Sequence, residues 1–569
     1  MKTFMAEILR RLKAFFFPAP DSPRWMFLLP IITLGVIGVL VFSLGVYGWE
    51  YTNSPQFCGT TCHTMPPQNT VYLKSPHANV TCEECHIGRA SLPDQMLRKT
   101  QGLKETWYTI FKLYEYPIRA SALQPARNTC EKCHQPETFS GDSLRAITHF
   151  GSDTENTLET TYLILKTGGG AKREGLGRGI HWHIANKVEY FATDELDQEI
   201  PFVRVHNEDG TTTDYVDVES GFDASKIEAG QLQEIDCVTC HNRVTHEFKY
   251  PSDSMDEALA RRLIDPSIPD IRTKGVEVLS ASYTSQSQGL IAIAGLENYY
   301  QTYYPDFYDG SHAEAIDSAI AQIQAIYLDT VFPDQKIDWT THPNNLGHIN
   351  SPGCFRCHDG KHLDANNQAV RLECNLCHSI PVVSGPRDLV TKIEINSGGI
   401  EPETHLNPNW ISLHNQSINE TCTQCHTTED MGGTSNTSFC SNSACHGSAF
   451  TFAGFDAPAL REVLKEQIPT PPPTVPAVDA AGPLTYEAVL APLFTTKCGA
   501  CHGSSATAGL NLTTYATLMQ GGQNGAVIAP NDPANSLLVK VQSQKHFVNL
   551  TAEELDLLIQ WINDGAPEK

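Results

Sequence analysis

The longest apolar run in the chain extends from Trp25 to Gly48 and contains no charged residue. Its length matches the roughly 20 residues that a helix needs to cross the hydrocarbon core of a bilayer. We therefore predict one transmembrane helix over residues 25–48. The preceding residues 1–24 are basic, and Met1–Phe17 has the amphipathic, aromatic character of a segment that lies on the inner membrane surface.

The charges on either side of this run predict its orientation. Glu50 follows it, whereas five basic residues precede it: Lys2, Arg10, Arg11, Lys13 and Arg24. By the positive-inside rule, residues 1–24 lie in the cytoplasm and the rest of the chain lies outside. The alternative is a cleaved signal peptide, but its apolar core would be shorter and a small-residue cleavage site would follow it, whereas Leu44–Trp49 contains aromatic residues. The pattern favours a single uncleaved anchor in a bacterial inner membrane.

Apolar residues recur with helical spacing in a cysteine-free region between residues 251 and 340. The pattern predicts helices over Asp256–Leu263, around Ile271–Tyr283, over Gln288–Tyr303 and over His312–Tyr327. We expect this region to be a helical spacer or scaffold. Farther along the chain, residues 468–483 are rich in proline and predict an extended, semi-rigid linker.

The chain is acidic, with a formal net charge of -25 over its 569 residues. Because this charge belongs almost wholly to the part outside the cytoplasm, we expect no nucleic-acid partner. An acidic surface can steer a basic redox partner, or it can simply keep an exported protein soluble. The length far exceeds that of one domain, so several modules are expected.

All 18 cysteines fall into nine pairs, and a histidine directly follows the second cysteine of every pair. This is the attachment signature of c-type haem, in which two thiols hold the porphyrin covalently and the adjacent histidine ligates the iron. The attaching cysteines are Cys58 and Cys62, Cys82 and Cys85, Cys130 and Cys133, Cys237 and Cys240, Cys354 and Cys357, Cys374 and Cys377, Cys422 and Cys425, Cys440 and Cys445, and Cys498 and Cys501. The proximal histidines are His63, His86, His134, His241, His358, His378, His426, His446 and His502.

Structural zinc, disulfides and thioredoxin-like pairs also use paired cysteines, but none of these requires a histidine after the second cysteine. Histidine accounts for only 22 of the 569 residues, so nine such neighbours are not accidental. Two motifs depart from the usual spacing, since three residues separate Cys58 from Cys62 and four separate Cys440 from Cys445. The sequence thus predicts nine covalently bound c-type haems.

The spacing of the motifs divides the chain into segments. Four motifs lie within residues 58–241, four within 354–446, and the ninth lies at 498–502. The predicted segments are a cytoplasmic N-terminus (1–24), an anchor (25–48), a first tetrahaem domain (49–250), a helical spacer (251–340), a second tetrahaem domain (341–467), a linker (468–483) and a monohaem domain (484–569). We expect a mainly α, loop-rich multihaem cytochrome c with one N-terminal transmembrane helix and a small all-α C-terminal domain.

Three motifs behind the anchor carry a family resemblance. The segments Phe57–Met65, Ser75–His77 with Cys82–His86, and Asp236–His246 resemble the NapC/NirT family of membrane-anchored tetrahaem quinol dehydrogenases over about residues 20–250. The resemblance implies that electrons are taken from quinol at the membrane surface and passed through closely packed haems to periplasmic reductases. The later segments Asn345–His348 and Pro352–His362 look like extended multihaem relatives in bacteria that respire extracellular or periplasmic acceptors.

The remaining histidines are candidates for the second axial ligand. The resemblance implies that Met65 coordinates or crowds the first iron, and that His77, His183 or its neighbour His181, and His246 serve haems two to four. In the second group, four histidines lie close in sequence to haem motifs, where the alternative is a hydrogen-bonded surface histidine: His348, His362, His405 and His414. The sequence pairs none of these distal ligands with a particular haem.

A quinol site would need an acid-base group beside the first haem. The segment Met96–Tyr108 reads as a helix, and the resemblance, aligned on Gly102, implies that Arg98 and Glu105 form this site. Those positions share one helix face, and Lys99 is the alternative basic residue. An ordinary charged face of an interfacial helix, with its cations held for lipid head groups, is the other interpretation.

Residues 484–569 resemble small monohaem cytochrome c domains through Cys498–Gly503, Asn531–Leu538 and a closing helix, Thr551–Asp564. The resemblance implies a ligand shortly before that helix. His546 stands there, and Met519 is the other candidate. A second imidazole would give this haem a lower potential than methionine would.

The expected function is electron transfer from the menaquinol pool to periplasmic or extracellular-directed redox partners by a membrane-anchored nonahaem cytochrome. The alternative is a conduit or storage subunit of a larger respiratory complex, without its own quinol site. A terminal reductase, for example of nitrite, would need an open iron position, and the usual lysine-ligated motif is absent from the sequence.

Overall fold

The computed structural model describes most of the chain. The described residues are 2–61, 65–101, 103–119, 124–135, 141–168, 179–228, 230–390, 393, 403–417, 422, 426–447, 450–467, 484–503, 506–544 and 550–569. Several predicted site residues lie outside them: Cys62, His63, Cys425 and His546. The predicted linker, 468–483, lies outside them as well.

Two N-terminal helices form the membrane region. Helix α1 (Lys2–Phe16) exposes a row of apolar side chains, among them Phe4, Ile8 and Leu12, at the four-residue spacing that aligns them on one face. Helix α2 (Arg24–Asn53) contains an 18-residue window of mean hydropathy 2.6, of which only 6% is buried. An apolar helix of this length with nothing packed around it is the expected form of a bilayer span, so the predicted anchor is confirmed.

The helices between α2 and residue 185 are short. They are α3 (Pro66–Leu73), α4 (Cys82–His86), α5 (Leu92–Gln101), α6 (Leu103–Ile110) and α7 (Trp182–Ala185). The next group covers the fourth motif and the predicted spacer: α8 (Cys237–Cys240), α9 (Pro251–Ala260), α10 (Ile271–Ser280), α11 (Gln286–Ala294), α12 (Leu296–Tyr303), α13 (Pro305–Phe307) and α14 (Ala313–Thr330). The later helices are α15 (Glu403–Leu406), α16 (Trp410–Ser417), α17 (Ser443–His446), α18 (Pro458–Leu464), α19 (Ala491–Lys497), α20 (Gly499–His502), α21 (Tyr515–Gln520), α22 (Leu537–Gln542) and α23 (Ala552–Asn563).

Two small antiparallel sheets stand beside these helices in the described part of the chain. The strands are β1 (Ser143–Phe150), β2 (Leu158–Leu165), β3 (Val188–Phe191), β4 (Phe202–His206), β5 (Thr212–Asp217), β6 (Gln233–Glu234), β7 (His362–Leu363) and β8 (Val382–Ser384). One sheet has the order β1-β2-β8 and the other β6-β3-β4-β5-β7. The sequence analysis did not foresee these strands. Apart from them the fold is mainly α and loop-rich, as expected.

The predicted spacer forms the largest core among the described residues. Buried apolar side chains of α9 to α14, among them Met255, Ile293, Ile323 and Tyr327, pack together. A polar pair fixes α9 to α10, because Arg272 Nε lies 2.7 Å from Asp256 Oδ1 and both side chains are nearly buried. The helices agree with those that the apolar periodicity predicted, except that Gly295 divides the third one into α11 and α12.

The chain divides into two compact units. The first comprises residues 1–139, 148–158 and 236–344, and the second comprises 140–147, 159–235 and 345–569. The spacer therefore belongs with the first four motifs, and within that unit Val71 of α3 packs against Phe332 beyond α14. Most of residues 140–235 belong instead with the later motifs, which differs from the predicted domain of residues 49–250.

Residues 484–569 have a hydrophobic core of their own. Trp561 and Leu558 of α23 are fully buried together with Phe494 of α19, and the indole Nε1 of Trp561 donates to Pro567 O at 2.9 Å. Thr551 begins α23 with a capping box, in which its hydroxyl accepts from Glu554 N and the Glu554 carboxylate accepts from Thr551 N. The closing helix predicted over Thr551–Asp564 is present.

Candidate haem sites and the membrane-side cluster

Several haem motifs lie on single helical turns. Helix α4 carries Cys82 and Cys85 three positions apart, and Thr81 caps it with a capping box to Glu84. Helix α8 carries Cys237 and Cys240 in the same way, and the Asp236 carboxylate accepts from the backbone N–H groups that follow it. Residues three apart on a helix share a face, so each cap helps to hold two thiols toward one porphyrin edge with the histidine directly behind.

Six pairs of histidine rings face one another among the described residues, and each contains one motif histidine and one histidine from elsewhere. The centroid separations are 6.0 Å for His134 with His77, 6.3 Å for His86 with His246, 5.8 Å for His358 with His183, 6.3 Å for His378 with His348, 6.1 Å for His426 with His405, and 6.4 Å for His446 with His414. Two imidazoles that bind one metal from opposite sides at about 2 Å each have centroids roughly 6 Å apart. The spacing of all six pairs therefore fits an iron held between two histidines.

The hydrogen bonds of these rings leave the correct nitrogen for a metal. Nδ1 of His183, His358, His378 and His414 contacts a backbone carbonyl oxygen at 2.9, 2.6, 2.6 and 2.5 Å, respectively. Such a bond fixes the tautomer that carries its proton on Nδ1 and directs Nε2 at the metal. His181, the alternative to His183, makes the same kind of contact with Thr167 O at 2.6 Å.

Burial favours the neutral imidazole that a metal requires. Burial, with a smaller contribution from His183, lowers the pKa of His358 to about 4. Burial and the neighbouring His86 lower the pKa of His246 to about 4. Burial also lowers the pKa of His86, His378 and His426. Because a protonated imidazole cannot bind iron, these sites are prepared for ligation at neutral pH.

His183 lies beside a motif other than the one that the resemblance implied. The sequence analysis assigned it to haems two to four, whereas its ring faces His358 of the fifth motif. Both residues belong to the second compact unit. The chain order of the histidines is therefore not the order of the motifs that they face.

His362, which the sequence offers as a candidate ligand, has both ring nitrogens in contact with acceptors inside the protein. It is 1% exposed, its Nδ1 lies 2.9 Å from Asp359 Oδ1, and its Nε2 lies 2.6 Å from Ile200 O. Burial opposes the charge on this ring, but the Asp359 carboxylate outweighs burial and raises the pKa of His362. With both nitrogens in contact with these acceptors, His362 ties the fifth motif to the strand region, and neither nitrogen is directed at an iron site in this arrangement.

The thiols show which motifs are neighbours in the first unit. Cys82 donates a hydrogen bond to Cys58, which lowers the pKa of Cys58 and raises that of Cys82. Cys237 donates to Cys130 with the same two effects. Burial and the nearby Cys130 raise the pKa of Cys85. The first four motifs therefore follow one another in space in the order of the chain.

The second unit has a different order. Burial and the nearby Cys354 raise the pKa of Cys377 to about 12, which places the fifth motif beside the sixth. Burial and the nearby Cys445 raise the pKa of Cys374 to about 12, which places the sixth motif beside the eighth motif. Burial and Cys422 raise the pKa of Cys440, which places the eighth beside the seventh. The spatial order is thus fifth, sixth, eighth and seventh.

The predicted quinol residues separate into different environments. Arg98 Nη1 donates to Ile87 O at 2.5 Å, so this guanidinium holds the chain directly behind the second motif. Lys99 instead points at the outer end of α2, where its Nζ lies 3.1 Å from Thr52 Oγ1 and 4.2 Å from the ring centroid of Trp49. The side chain of Glu105, on α6, lies outside the described residues.

Lys99 also faces the first two motifs. Burial lowers the pKa of Lys99, and this effect outweighs the attraction of Glu83 and Cys58. Glu83 stands between the two cysteines of the second motif, and burial raises its pKa although Lys99 opposes that shift. We call Trp49, Thr52, Glu83 and Lys99 the membrane-side cluster. The sequence analysis missed Glu83, because nothing in the motif itself distinguishes its two intervening residues.

Two candidate ligand sites are described only in part. Met65 directly precedes α3, whereas His63 of the first motif lies outside the described residues. In the C-terminal domain, His502 Nδ1 lies 3.3 Å from Leu510 O, and Met519 packs against the core of that domain. His546 lies outside the described residues, so both candidates for the ninth iron stay predictions.

Comparisons with known proteins agree with this description. Residues 21–140 match the NapC/NirT cytochrome c family, N-terminal region, and residues 498–545 match a Planctomycete cytochrome C family. The cytochrome c-type protein ImcH of Geobacter sulfurreducens is 38% identical over 354 residues, which are 61% of this chain and 69% of ImcH. The cytochrome c nitrite reductase subunit NrfH of Nitratidesulfovibrio vulgaris is 30% identical over 71 residues, 12% of this chain and 44% of NrfH.

No solved structure matches the chain. The family match begins just before the membrane helix and ends after the third motif, so it covers the region in which anchor and haem motifs meet. The protein is a single-pass inner-membrane protein, with its haem-bearing part outside the cytoplasm and a role in electron transport. The chain belongs to the NapC/NirT family of membrane-anchored multihaem c-type cytochromes.

Proposed function

We propose that the protein is a nonahaem cytochrome that oxidises menaquinol at the membrane-side cluster and passes the electrons to periplasmic or extracellular-directed redox proteins. The observation that carries the proposal is the position of Lys99. Its ammonium group touches Trp49 and Thr52 at the outer end of the anchor and faces Cys58 of the first motif. A quinol headgroup that reaches the membrane surface would therefore meet a cation beside the first haem site.

Quinol oxidation releases two protons and two electrons, so the site needs groups that bind the hydroxyl oxygens and accept protons. Lys99 is suited to the first task, because its ammonium donates up to three hydrogen bonds. Glu83 is suited to the second, since burial raises the pKa of its carboxylate and so makes it a better proton acceptor. When bound, the haems supply the one-electron acceptors.

The ligand pairs support a conducting role for the remaining motifs. In each of the six described pairs, two histidine rings face each other at a spacing that would suit an iron between them. An iron with two histidine ligands has no open position for a substrate, so such sites transfer electrons without binding one. We propose these twelve histidines, with Met65 and His546, as ligands of the haem irons.

The test is the rate of haem reduction by a menaquinol analogue in protein reconstituted into vesicles. Lys99→Met should slow the reaction at least about tenfold, because the headgroup loses its charged donor. Lys104→Met is the matched control, since Lys104 is an exposed lysine on α6 that lies over the Tyr108 ring. It should react at the rate of the unmodified protein.

Two carboxylate variants then identify the proton acceptor. Glu83→Gln should slow the reaction if the membrane-side cluster removes the protons, whereas Glu105→Gln should do so if the residue implied by the family resemblance does. Dithionite should reduce all haems in every variant. If the quinol analogue fails to reduce the unmodified protein while dithionite succeeds, the proposal is wrong, and the protein is a conduit fed by another subunit.

A further inference from the structure

Arg243 is a buried cation that lies in the chain between two histidines of the proposed haem sites. It is 6% exposed, it follows His241 of the fourth motif by two residues, and it precedes His246 by three. The ring of His246 faces His86 of the second motif at 6.3 Å. No role was assigned to Arg243 from the sequence, because an arginine after a haem motif carries no signal until its burial is known.

The described residues give Arg243 no carboxylate partner. Its Nη2 donates to Phe248 O at 2.9 Å, its guanidinium carbon lies 5.9 Å from the Phe248 ring centroid, and its buried Nε has no hydrogen-bond partner within the described part of the chain. The charged and titratable groups that act on it are Glu247, Tyr250 and His342. Glu247 is solvent-exposed and does not reach ion-pair distance.

Two other arginines in the described part of the chain have carboxylate partners, unlike Arg243. Arg272 lies 2.7 Å from Asp256, and Arg204 lies 2.7 Å from Asp214. The chain has 65 acidic side chains for 40 basic ones, so partners are not scarce. Burying an arginine without an anion is costly, and Arg243 is buried with its Nε unpartnered among the described residues. An anion on a group that is attached to the mature protein, and not on the polypeptide itself, would offset the cost of this buried charge.

Haem brings such an anion, because each porphyrin carries two propionate carboxylates. A guanidinium presents donors in a planar fork that matches a carboxylate, which makes arginine the preferred partner at a desolvated site. We propose that Arg243 binds a propionate of the haem on the second or the fourth motif and holds that propionate ionised. The inference rests on haem attachment at these two motifs, and it is independent of quinol oxidation.

The expected consequence is electrochemical. A fixed cation beside a haem favours the reduced iron, and an ionised propionate keeps the haem potential independent of pH near neutrality. Without the guanidinium, the propionate would gain a proton near neutral pH. The potential of that haem should then fall at high pH and vary with pH across the neutral range.

The experiment is a redox titration of the detergent-solubilised full-length protein, followed at the haem absorbance between pH 6 and 8. In Arg243→Gln, one haem should titrate at lower potential and become pH-dependent, and Arg243→Lys should restore part of the shift. Arg204→Gln removes an arginine that is already paired with Asp214, so it should leave the redox titration unchanged. Arg243→Met keeps the apolar contact with Phe248 and provides the same test if glutamine destabilises the fold.

Two further results decide between the possible outcomes. A pyridine haemochrome count equal to that of the unmodified protein shows that haem attachment is intact. If the count is intact and the titrations of Arg243→Gln and Arg243→Met coincide with that of the unmodified protein at every pH, the proposal is overturned and Arg243 has only a structural role. Combination with His246→Met, which raises the potential of the second haem, shows whether the second or the fourth haem responds to Arg243.

Discussion

At the scale of single residues, histidine takes several roles in this protein, and only the contacts of its nitrogens separate them. His378 uses Nδ1 for a backbone carbonyl and leaves Nε2 for a metal. His362 uses both nitrogens inside the protein. His206 pairs with the Glu189 carboxylate at 2.7 Å. All three lie in polar, turn-rich or strand segments, so the sequence could not distinguish them.

The first prediction concerns this distinction between ligand and structural histidine. His348→Gln should leave the iron of the sixth motif without its second histidine, because His348 faces His378 at 6.3 Å. The variant should show a new high-spin signal by electron paramagnetic resonance and should bind carbon monoxide when reduced. His362→Gln, by contrast, should keep the low-spin spectrum of the unmodified protein and lose thermal stability instead, since it breaks a buried ion pair.

A high-spin signal in His362→Gln with an unchanged melting temperature would contradict the assignment of His362 as a structural residue.

Measurements of stability and of quinol oxidation separate the roles of the two basic residues near the membrane. Arg98 holds the backbone behind the second motif, so Arg98→Met should affect stability more than quinol oxidation, whereas the reverse is expected for Lys99→Met.

At the scale of elements, the helices were predictable and the strands were not. Helices α9 to α14 bury a continuous apolar face, and such faces produce the periodicity that a sequence reveals. Strands β3, β4 and β5 are four to six residues long. Strands β3 and β4 mix buried with half-buried positions, and β5 has only half-buried and exposed ones, which gives a weaker pattern. A usable signal existed at Asn207–Gly210, a turn between two stretches rich in β-branched residues, where Gly210 has a φ of +84°.

Two glycines in the helical scaffold provide the element-scale prediction. A Cβ on Gly289 of α11 would overlap the buried aromatic ring of Tyr327, whereas a Cβ on Gly275 of α10 would meet the flexible end of Met255. Alanine improves helix propensity by about 1 kcal/mol at either site. Forcing a methyl group into a packed core costs about 1–3 kcal/mol, and a rigid ring yields less readily than a thioether.

We therefore expect Gly289→Ala to destabilise the scaffold and Gly275→Ala to be close to neutral. The measurement is amide hydrogen exchange of peptides from residues 271–330. This method reports local opening and does not depend on two-state unfolding, which proteins with several modules and bound cofactors commonly violate. Exchange should be faster in Gly289→Ala only. Equal protection in the two variants would show that Tyr327 can move aside.

At the scale of the whole molecule, the proposed route of the electrons depends on the order in which the haem motifs lie in space. The first four motifs follow one another in space, whereas the order in the second unit is fifth, sixth, eighth and seventh. Within that unit an electron would therefore travel from the fifth motif through the sixth and then the eighth to the seventh. Distance between neighbouring haems, and not position in the chain, determines the route.

The last prediction tests the haem number. Two motifs have unusual spacing, yet Cys440 and Cys445 lie in a short turn and in α17, and Asn442 caps that helix by accepting from Ala444 N. Both cysteines therefore lie on turn or helical backbone, which is more compact than an extended chain with the same number of residues. We expect nine haems per chain by pyridine haemochrome analysis, and haem-modified peptides from all nine motifs by mass spectrometry. Seven haems, with the peptides around Cys62 and Cys445 unmodified, would contradict the proposal.

The sequence by itself determined the covalent chemistry and the membrane anchor, because both depend on residues that are neighbours in the chain. A thiol pair with its histidine is a local motif, and an apolar run of the length of α2 is a local property. The periodic helices of the scaffold were determined in the same way.

Only the tertiary structure decided which histidine faces which motif, that His362 is buried between two acceptors, and that Lys99 lies at the outer end of α2 and acts on the charge of Glu83. These contacts join residues that are far apart in the chain, such as His86 and His246, or depend on the direction of one side chain. The burial of Arg243 belongs to the same class, because an arginine in a sequence does not show whether its charge is hydrated or enclosed. Local sequence patterns define the chemistry that a residue can perform, and tertiary packing determines which neighbours it contacts.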